Sequence, residues 1–428
     1  MLAPTAPAFP CALAPGLVLR QAQNAEDLEA VLAAHLAAFG DEDEITLREN
    51  LVRRPGSRPE DVFYVQDAAT GQAVSSVSLI RETWRYEGVP LPIAEVGIVS
   101  TRPEYRGRAL VRPQFDAYHR RARQEGCVLS IISGIEHYYR QFGYEYVLPT
   151  GGGVGLRPEQ IPDLPPGEGT AWSVRPARPE DMPTLLGFYE EETRPLRISA
   201  ELTEEVWRYQ DGLPEAARER RATHIVEENG VARGFLRTWA RPIPERGEGV
   251  RIQGAYLPHQ DACLAALRWA KAESLRAHDG RGIRVRLPYR APLVQAARAL
   301  GGEESRPYAW LVRVLDPVGL MTRIAPVLER RLAGSPLAEY SGTFTMGLMT
   351  ESLVLRFRGG RLLQVGAARR GRADITLPPP VAPMVWFGWR SMQQVADWYP
   401  DASIRDKAAA TLADILFPPG ESWACSLF

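Results

Sequence analysis

One run, from Val96 to Tyr144, restricts what this chain can fold into more than any other. It opens as a short β-branched strand and breaks at Pro103, which brings no N–H to a ladder. A basic, glycine-containing loop follows, Arg106-Gly107-Arg108-Ala109. Leu110, Val111, Phe115, Tyr118 and Ala122 then recur at helical spacing. Gly126 stops that helix, and Cys127 to Ser133 has the apolar density of a second strand. Strand, basic loop, helix, strand is a shape that holds an anionic group at a helix N-terminus, where backbone N–H groups lack intrahelical partners.

At 428 residues the chain exceeds what a single core organises, and roughly two to four domains are expected. The formal net charge is -1, so no global basic field favours nucleic acid. Lys271 and Lys407 are the only lysines, a bias toward arginine that accompanies the abundant Ala, Pro and Gly. No apolar run approaches the roughly 20 residues that span a bilayer, so no membrane partner is expected. The N-terminal stretch is broken by four prolines before Gly16 and reads as a loose tail rather than a secretory signal. Cys11, Cys127, Cys263 and Cys425 show no paired or metal spacing, which fits free thiols in a cytoplasmic protein. His119, His137 and the other histidines show no ligand spacing either, so no metal is expected.

The pattern predicts an α/β (α+β) chain with mixed sheets. Leu17 to Arg20 reads as a strand, and Asn24 or Asp27 can cap a helix through Ala38. An acidic patch, Asp41 to Glu44, precedes a short helix, and a strand pair then turns at Thr70-Gly71. A Gly/Pro-rich break runs from Gly151 to Gly169. Beyond it the opening pattern returns: Val18-Leu19-Arg20 with Glu26-Asp27 resembles Val174-Arg175-Pro176 with Glu180-Asp181, an internal repeat of domain size. The second copy reads Pro258-His259-Gln260-Asp261-Ala262 where the first has its basic loop, and Asp261 would repel a phosphate. From about Asp316 a third pattern begins, with a helix, a strand pair, a Pro/aromatic stretch through Trp389 and two closing helices.

These residues carry a family resemblance. The Val96–Tyr144 run resembles the cofactor-binding core of the GNAT acetyltransferase superfamily, whose loop reads Q/R-x-x-G-x-G/A. Its six positions are Arg106, Gly107, Arg108, Ala109, Leu110 and Val111. Ala109 replaces the first signature glycine and Val111 the last small residue. Tyr138-Tyr139-Arg140-Gln141-Phe142-Gly143-Tyr144 is similar to the Y-x-x-F-G-Y run that closes this core. The third pattern is similar to a sterol carrier protein-like fold. Two GNAT-like domains followed by such a domain is the layout of the enhanced intracellular survival (Eis) family. The resemblance implies a GNAT domain over 1–155, a degenerate GNAT-like domain over 168–315 and a sterol carrier-like domain over 316–428.

What the resemblance implies about function is specific. Acetyl-CoA would be the co-substrate, held by Val99, Ser100 and Thr101 on the strand and by Arg106, Gly107, Arg108, Ala109, Leu110, Val111 and Arg112 in the loop. Ala109 is tolerable in a helical conformation, because only a positive φ demands glycine. Val111 is the residue that could crowd the phosphates. The acceptor would be a small-molecule amine or an exposed lysine, attacking directly in a ternary complex. Tyr139 matches the general acid, and the α-carboxylate of Phe428 matches the general base. Leu427 stands where an acidic residue would help attract a polycation. Family members form ring-like homo-oligomers, commonly hexamers. The competing reading is a non-catalytic GNAT-like scaffold whose third domain holds an apolar ligand near Trp386-Phe387.

Overall fold

The computed structural model describes residues 9–41, 44–167, 169–241 and 247–425. Glu42, Asp43 and Phe428 therefore lie outside the described residues. Among the described residues the fold is mixed α/β with three sheets. It divides into two compact units that are interleaved in sequence: Met1–Leu148 with Leu196–Glu201 and Ala309–Ser422, and Pro149–Pro195 with Leu202–Tyr308 and Trp423–Phe428.

The first unit begins with β1 (Cys11–Ala14), β2 (Leu17–Gln21), α1 (Ala25–Phe39), α2 (Glu44–Arg48), β3 (Val62–Asp67), β4 (Ala73–Tyr86), β5 (Val89–Thr101), α3 (Val111–Gln124), β6 (Leu129–Ile132) and β7 (Glu145–Thr150). Both candidate caps of α1 are used. The Asp27 N–H donates to the Asn24 side chain at 3.0 Å, and the Asp27 carboxylate accepts from the Gln23 N–H at 2.7 Å. Strands β2 to β5 form an antiparallel meander, and β6 then runs parallel to β5. Helix α3 covers one face, burying Phe115, Tyr118 and Ala122 against Val77, Leu79 and Ala94. Full burial of each such aliphatic or aromatic side chain contributes about 1.5–3 kcal/mol.

Strand β5 is longer than its pattern suggests, because Pro90 and Pro92 argue against a strand there. Both prolines have the same parity, so the N–H they lack would point to one edge only. Val128 donates its N–H to the Pro92 carbonyl at 2.9 Å, which marks that edge as the one facing away from β4. The prolines therefore leave the β4–β5 ladder intact where they sit, from Ser78↔Gly97 to Tyr86↔Val89.

The chain continues with β8 (Gly153–Leu156), β9 (Trp172–Pro176), α4 (Met182–Thr193), β10 (Ile198–Ala200), α5 (Glu204–Asp211), β11 (Arg221–Glu228), β12 (Val231–Trp239), β13 (Glu248–Tyr256), α6 (Gln260–Ala277), β14 (Gly282–Val285), α7 (Pro292–Ala299), β15 (Glu303–Ser305) and β16 (Tyr308–Val314). The second sheet has the order β15-β8-β14-β13-β12-β11-β9, with α6 and α7 packed on its core. Strand β8 falls in the stretch expected to be a break. Strand β10 pairs with β4 in the first sheet, and β16 sits between β6 and β7. Local pattern contains no information about these pairings, because a strand's partner is chosen by the edge available to it.

The last segment adds α8 (Pro317–Ala333), β17 (Gly342–Leu348), β18 (Glu351–Arg358), β19 (Arg361–Arg369), β20 (Ile375–Thr376), α9 (Ala382–Trp386), α10 (Met392–Trp398), β21 (Ser403–Ile404) and α11 (Lys407–Leu416). Its sheet has the order β19-β18-β17-β20-β21. Trp386 and Phe387 are buried, and the Tyr86 hydroxyl donates to the Trp386 carbonyl at 2.7 Å.

Candidate active site

Strands β5 and β6 pair only from Ile93↔Leu129 to Glu95↔Ile131 and then part. Past that point the β4–β5 register jumps from Ser78↔Gly97 to Ser76↔Ser100, so β5 carries one extra residue, and Ile98 adopts φ 42. The bulge leaves the β6-facing edge of Val99–Thr101 without a strand partner. A cavity of about 640 Å³ opens there. It is lined by Val99, Ser100 and Thr101, by every residue from Arg106 to Arg112, and by Tyr139. The strand, the loop and the tyrosine singled out in the sequence thus share one wall.

The hydroxyls of the strand residues are already committed. Ser100 Oγ lies 2.8 Å from Ser76 Oγ, and Thr101 Oγ1 lies 2.9 Å from Ser75 Oγ, which in turn accepts from Gln114 at 2.7 Å. What Val99–Thr101 offers a ligand is therefore main chain. The loop offers main chain as well. Gly107 has φ 75 and Ala109 has φ 57. Ala109 is thus not helical, as its tolerance had required; it occupies the left-handed region at a cost of about 1–2 kcal/mol. Leu110 follows in the right-handed region, and a left–right succession turns consecutive N–H groups into one concavity. Among the described residues, no protein acceptor takes the N–H groups of residues 107–110. Helix α3 begins directly after them with no side-chain cap. Strain held at such a point is the usual mark of a ligand cradle.

Three guanidinium groups flank the cradle, and among the described residues no carboxylate lines the cavity. Arg106 donates to the Thr101 and Ala38 carbonyls at 3.3 and 3.4 Å. Arg108 lies over the Tyr105 ring at 4.8 Å, and Arg112 lies over the Phe142 ring at 5.3 Å. Val111 is half-buried in the same wall. The set suits a phosphate-bearing ligand, through N–H groups, a helix N-terminus and exposed cations.

Tyr139 sits in a 3-10 turn, Tyr138–Phe142, with 4% of its surface exposed. Its ring meets Tyr138, Phe115 and Tyr144 at centroid distances of 5.1, 6.0 and 6.4 Å. Its hydroxyl makes no hydrogen bond to the described residues, so it is free to donate into the cavity. Burial, and secondarily Tyr138, push the phenol up to about 12, which keeps its proton in place at neutral pH. His137 is exposed, outside the cavity wall, and held in a left-handed conformation by donating its N–H to the Tyr146 hydroxyl at 2.7 Å. The wall also includes Phe39, Tyr105, Ile135 and Gln141, which sequence reasoning missed. Tyr105 and Gln141 lie inside motifs already noted; Phe39, at the far end of α1, has no local signal at all. Among the described residues, no group of three or more His, Cys, Asp or Glu side chains could hold a metal ion, and no helix is long and apolar enough to cross a membrane.

Residues 19–147 match the family model for an acetyltransferase (GNAT) domain. No curated protein matches the chain. The fold is shared with a GCN5-related N-acetyltransferase from Anabaena variabilis, at TM-score 0.71 and 11% identity, covering 95% of this chain and 99% of that one. It is also shared with a probable N-acyltransferase from Enterococcus faecalis (TM-score 0.69, 14% identity, 96% and 100% covered). Eis1 from Mycobacterium abscessus has the same fold at TM-score 0.62 and 15% identity, again covering 96% and 100%. Every described residue of the cavity wall lies within the segment that matches the GNAT domain model, and the enzyme is an acyltransferase.

Proposed function

We propose that the protein is an N-acetyltransferase that moves an acetyl group from acetyl-CoA to an amine, a small molecule or an exposed lysine, by direct attack in a ternary complex. The observation that carries this reading is the single cavity wall shared by an unpaired stretch of β5, a strained N–H cradle and the free hydroxyl of Tyr139. The 107–110 N–H groups with Arg106, Arg108 and Arg112 would take the pyrophosphate. The main chain of Val99–Thr101 would orient the pantetheine and thioester.

An amine with a solution pKa near ~10 must lose a proton before it attacks. We assign that step to the Phe428 α-carboxylate on the strength of the family resemblance. Tyr139 then donates its proton to the departing thiolate, and its high pKa ensures that it holds that proton at pH 7. The proposal also takes the Eis-like layout: a catalytic GNAT domain, a degenerate GNAT-like domain whose α6 starts at Gln260 without a glycine loop, and a sterol carrier-like segment from 316. A homo-oligomer, a hexamer by the same resemblance, and a cytoplasmic location complete it.

Calorimetry with acetyl-CoA, followed by an acetylation screen over an amine library, is the test. Micromolar binding with turnover of at least one amine is expected. Well-folded protein that binds no acetyl-CoA would sink the proposal.

A further inference from the structure

A chain of buried polar groups runs beneath the candidate active site. Arg313, on β16, pairs across the sheet with Ser130 of β6. Its Nη1 lies 3.3 Å from His119 Nδ1 and donates to the Phe142 carbonyl at 2.5 Å. His119 Nε2 lies 2.8 Å from the Tyr144 hydroxyl, which lies 2.6 Å from Ser130 Oγ. Ser130 Oγ lies 2.8 Å from the Tyr118 hydroxyl, and Tyr118 donates to the Ala94 carbonyl at 2.9 Å. His119, Ser130, Tyr118 and Tyr144 are each at most 3% exposed.

The direction of every bond in this chain is forced. A guanidinium can only donate and a carbonyl can only accept. Each hydroxyl between them has one proton to give. Tyr118 spends its proton on Ala94, so Ser130 donates to Tyr118 and Tyr144 donates to Ser130. His119 must then carry its proton on Nε2 and accept from Arg313 on Nδ1. The two ends impose the same direction independently, which leaves the chain one arrangement.

The chain joins the pieces that wall the cavity. Ala94 and Ser130 are cross-strand partners just before β5 and β6 part. His119 and Tyr118 lie on α3, whose start forms the cradle. Phe142 ends the turn that carries Tyr139, and the Tyr144 ring abuts Tyr139. We propose that Arg313, acting through His119, Tyr144 and Ser130, is a positioning residue for the transferase site: it sets the placement of the Tyr139 turn relative to the β5 edge. A residue far downstream in the sequence thus governs a site built from residues 99–142. The inference rests on the acetyltransferase reading above.

The test uses the full-length chain with Arg313→Met and Arg313→Lys. Arg313→Met is expected to bind acetyl-CoA within about threefold of wild type while kcat falls about tenfold or more, as a sub-ångström misplacement of an acid would produce. Arg313→Lys, which keeps a donor, should recover most of that loss. Wild-type kcat in Arg313→Met overturns the proposal, as does parallel loss of binding, kcat and melting temperature that lysine does not restore. A second readout needs no substrate and no variant. Nitrogen-15 shifts of wild-type His119 should report a neutral ring protonated at Nε2, and an Nδ1–H tautomer overturns the relay. Failure of the acetyltransferase reading would show separately, as wild-type protein that acetylates no amine while His119 keeps the Nε2–H form.

Discussion

Gly134 and Tyr139 are in such close contact that a Cβ built on Gly134 would lie 2.5 Å from the tyrosine's Cε2. A real Cβ cannot sit there, so the tyrosine ring must move. Gly134→Ala should therefore lower kcat by about 10–100-fold, while acetyl-CoA affinity stays within a few-fold. Steady-state kinetics alongside calorimetry separates the two. Unchanged turnover would mean that the Tyr139 hydroxyl is not the acid.

Ala109 holds a left-handed φ of 57 with a side chain that disfavours it. Ala109→Gly relieves that strain but adds chain entropy to the unfolded state, a counter-effect of about 0.5–1 kcal/mol. The net expectation is a gain of about 0.5–1 kcal/mol, with acetyl-CoA binding equal or tighter. Ala109→Val should destabilise the loop and weaken binding, since a β-branched residue fits that region worst. Thermal melts and calorimetry on both variants check the pair.

His119 is held neutral by burial, with Arg313 and Arg123 adding to the effect, and its pKa falls from 6.5 to about 2. Below pH 6.5 the unfolded chain binds a proton that the native state refuses. Stability therefore rises with pH across this range: it is complete above about 6.5 and is lost progressively as pH falls toward 2. Between pH 7 and pH 5 this amounts to about 2 kcal/mol from His119 alone. His224, also depressed by burial, adds a change of the same sign. Urea titrations at the two pH values should show a smaller pH difference in His119→Gln than in wild type. Equal differences would place the proton elsewhere.

Among the described residues, Arg106, Arg108 and Arg112 supply the only charged side chains of the cavity wall. Each is exposed or half-buried, so their attraction for phosphate should be screened by salt. Changing any one of them to Ala is expected to weaken acetyl-CoA binding by about 3–10-fold at low salt and by less at high salt. Binding measured across a salt series reads this directly. A flat response in wild type would argue against phosphate in the cradle.

The base assigned to the Phe428 carboxylate makes a covalent prediction. Three residues added after Phe428 should remove the carboxylate from its place and reduce kcat by about 10²-fold or more, the usual weight of a general base, with acetyl-CoA binding retained. Kinetics on the extended chain decides it, and wild-type kcat there would reject the assignment.

Several features were legible because they are local. Asn24 and Asp27 announce the start of α1, and both act there. The periodicity of Phe115, Tyr118 and Ala122 announces α3, and all three are buried. The Arg106–Arg112 loop and the Tyr138–Tyr144 run are each legible as local motifs, and the fold brings both into one cavity wall. The left-handed state of Ala109 was not legible, because an alanine gives no sign of φ; the ladder and the helix on either side impose it. Phe39 reaches the cavity from the end of α1 and Ile135 from the loop after β6, and a single exposed apolar residue has no pattern to read.

The sequence by itself determined the local order of strand, cradle, helix and tyrosine turn, since periodicity, proline and glycine act within a few residues. Only the tertiary structure decided that β10 and β16 complete the first sheet and that Arg313 stands behind the Tyr139 turn. The reason is physical. Helix and turn are set by interactions along the chain, whereas a strand edge, a buried donor and a cavity wall are satisfied by whichever distant segment reaches them.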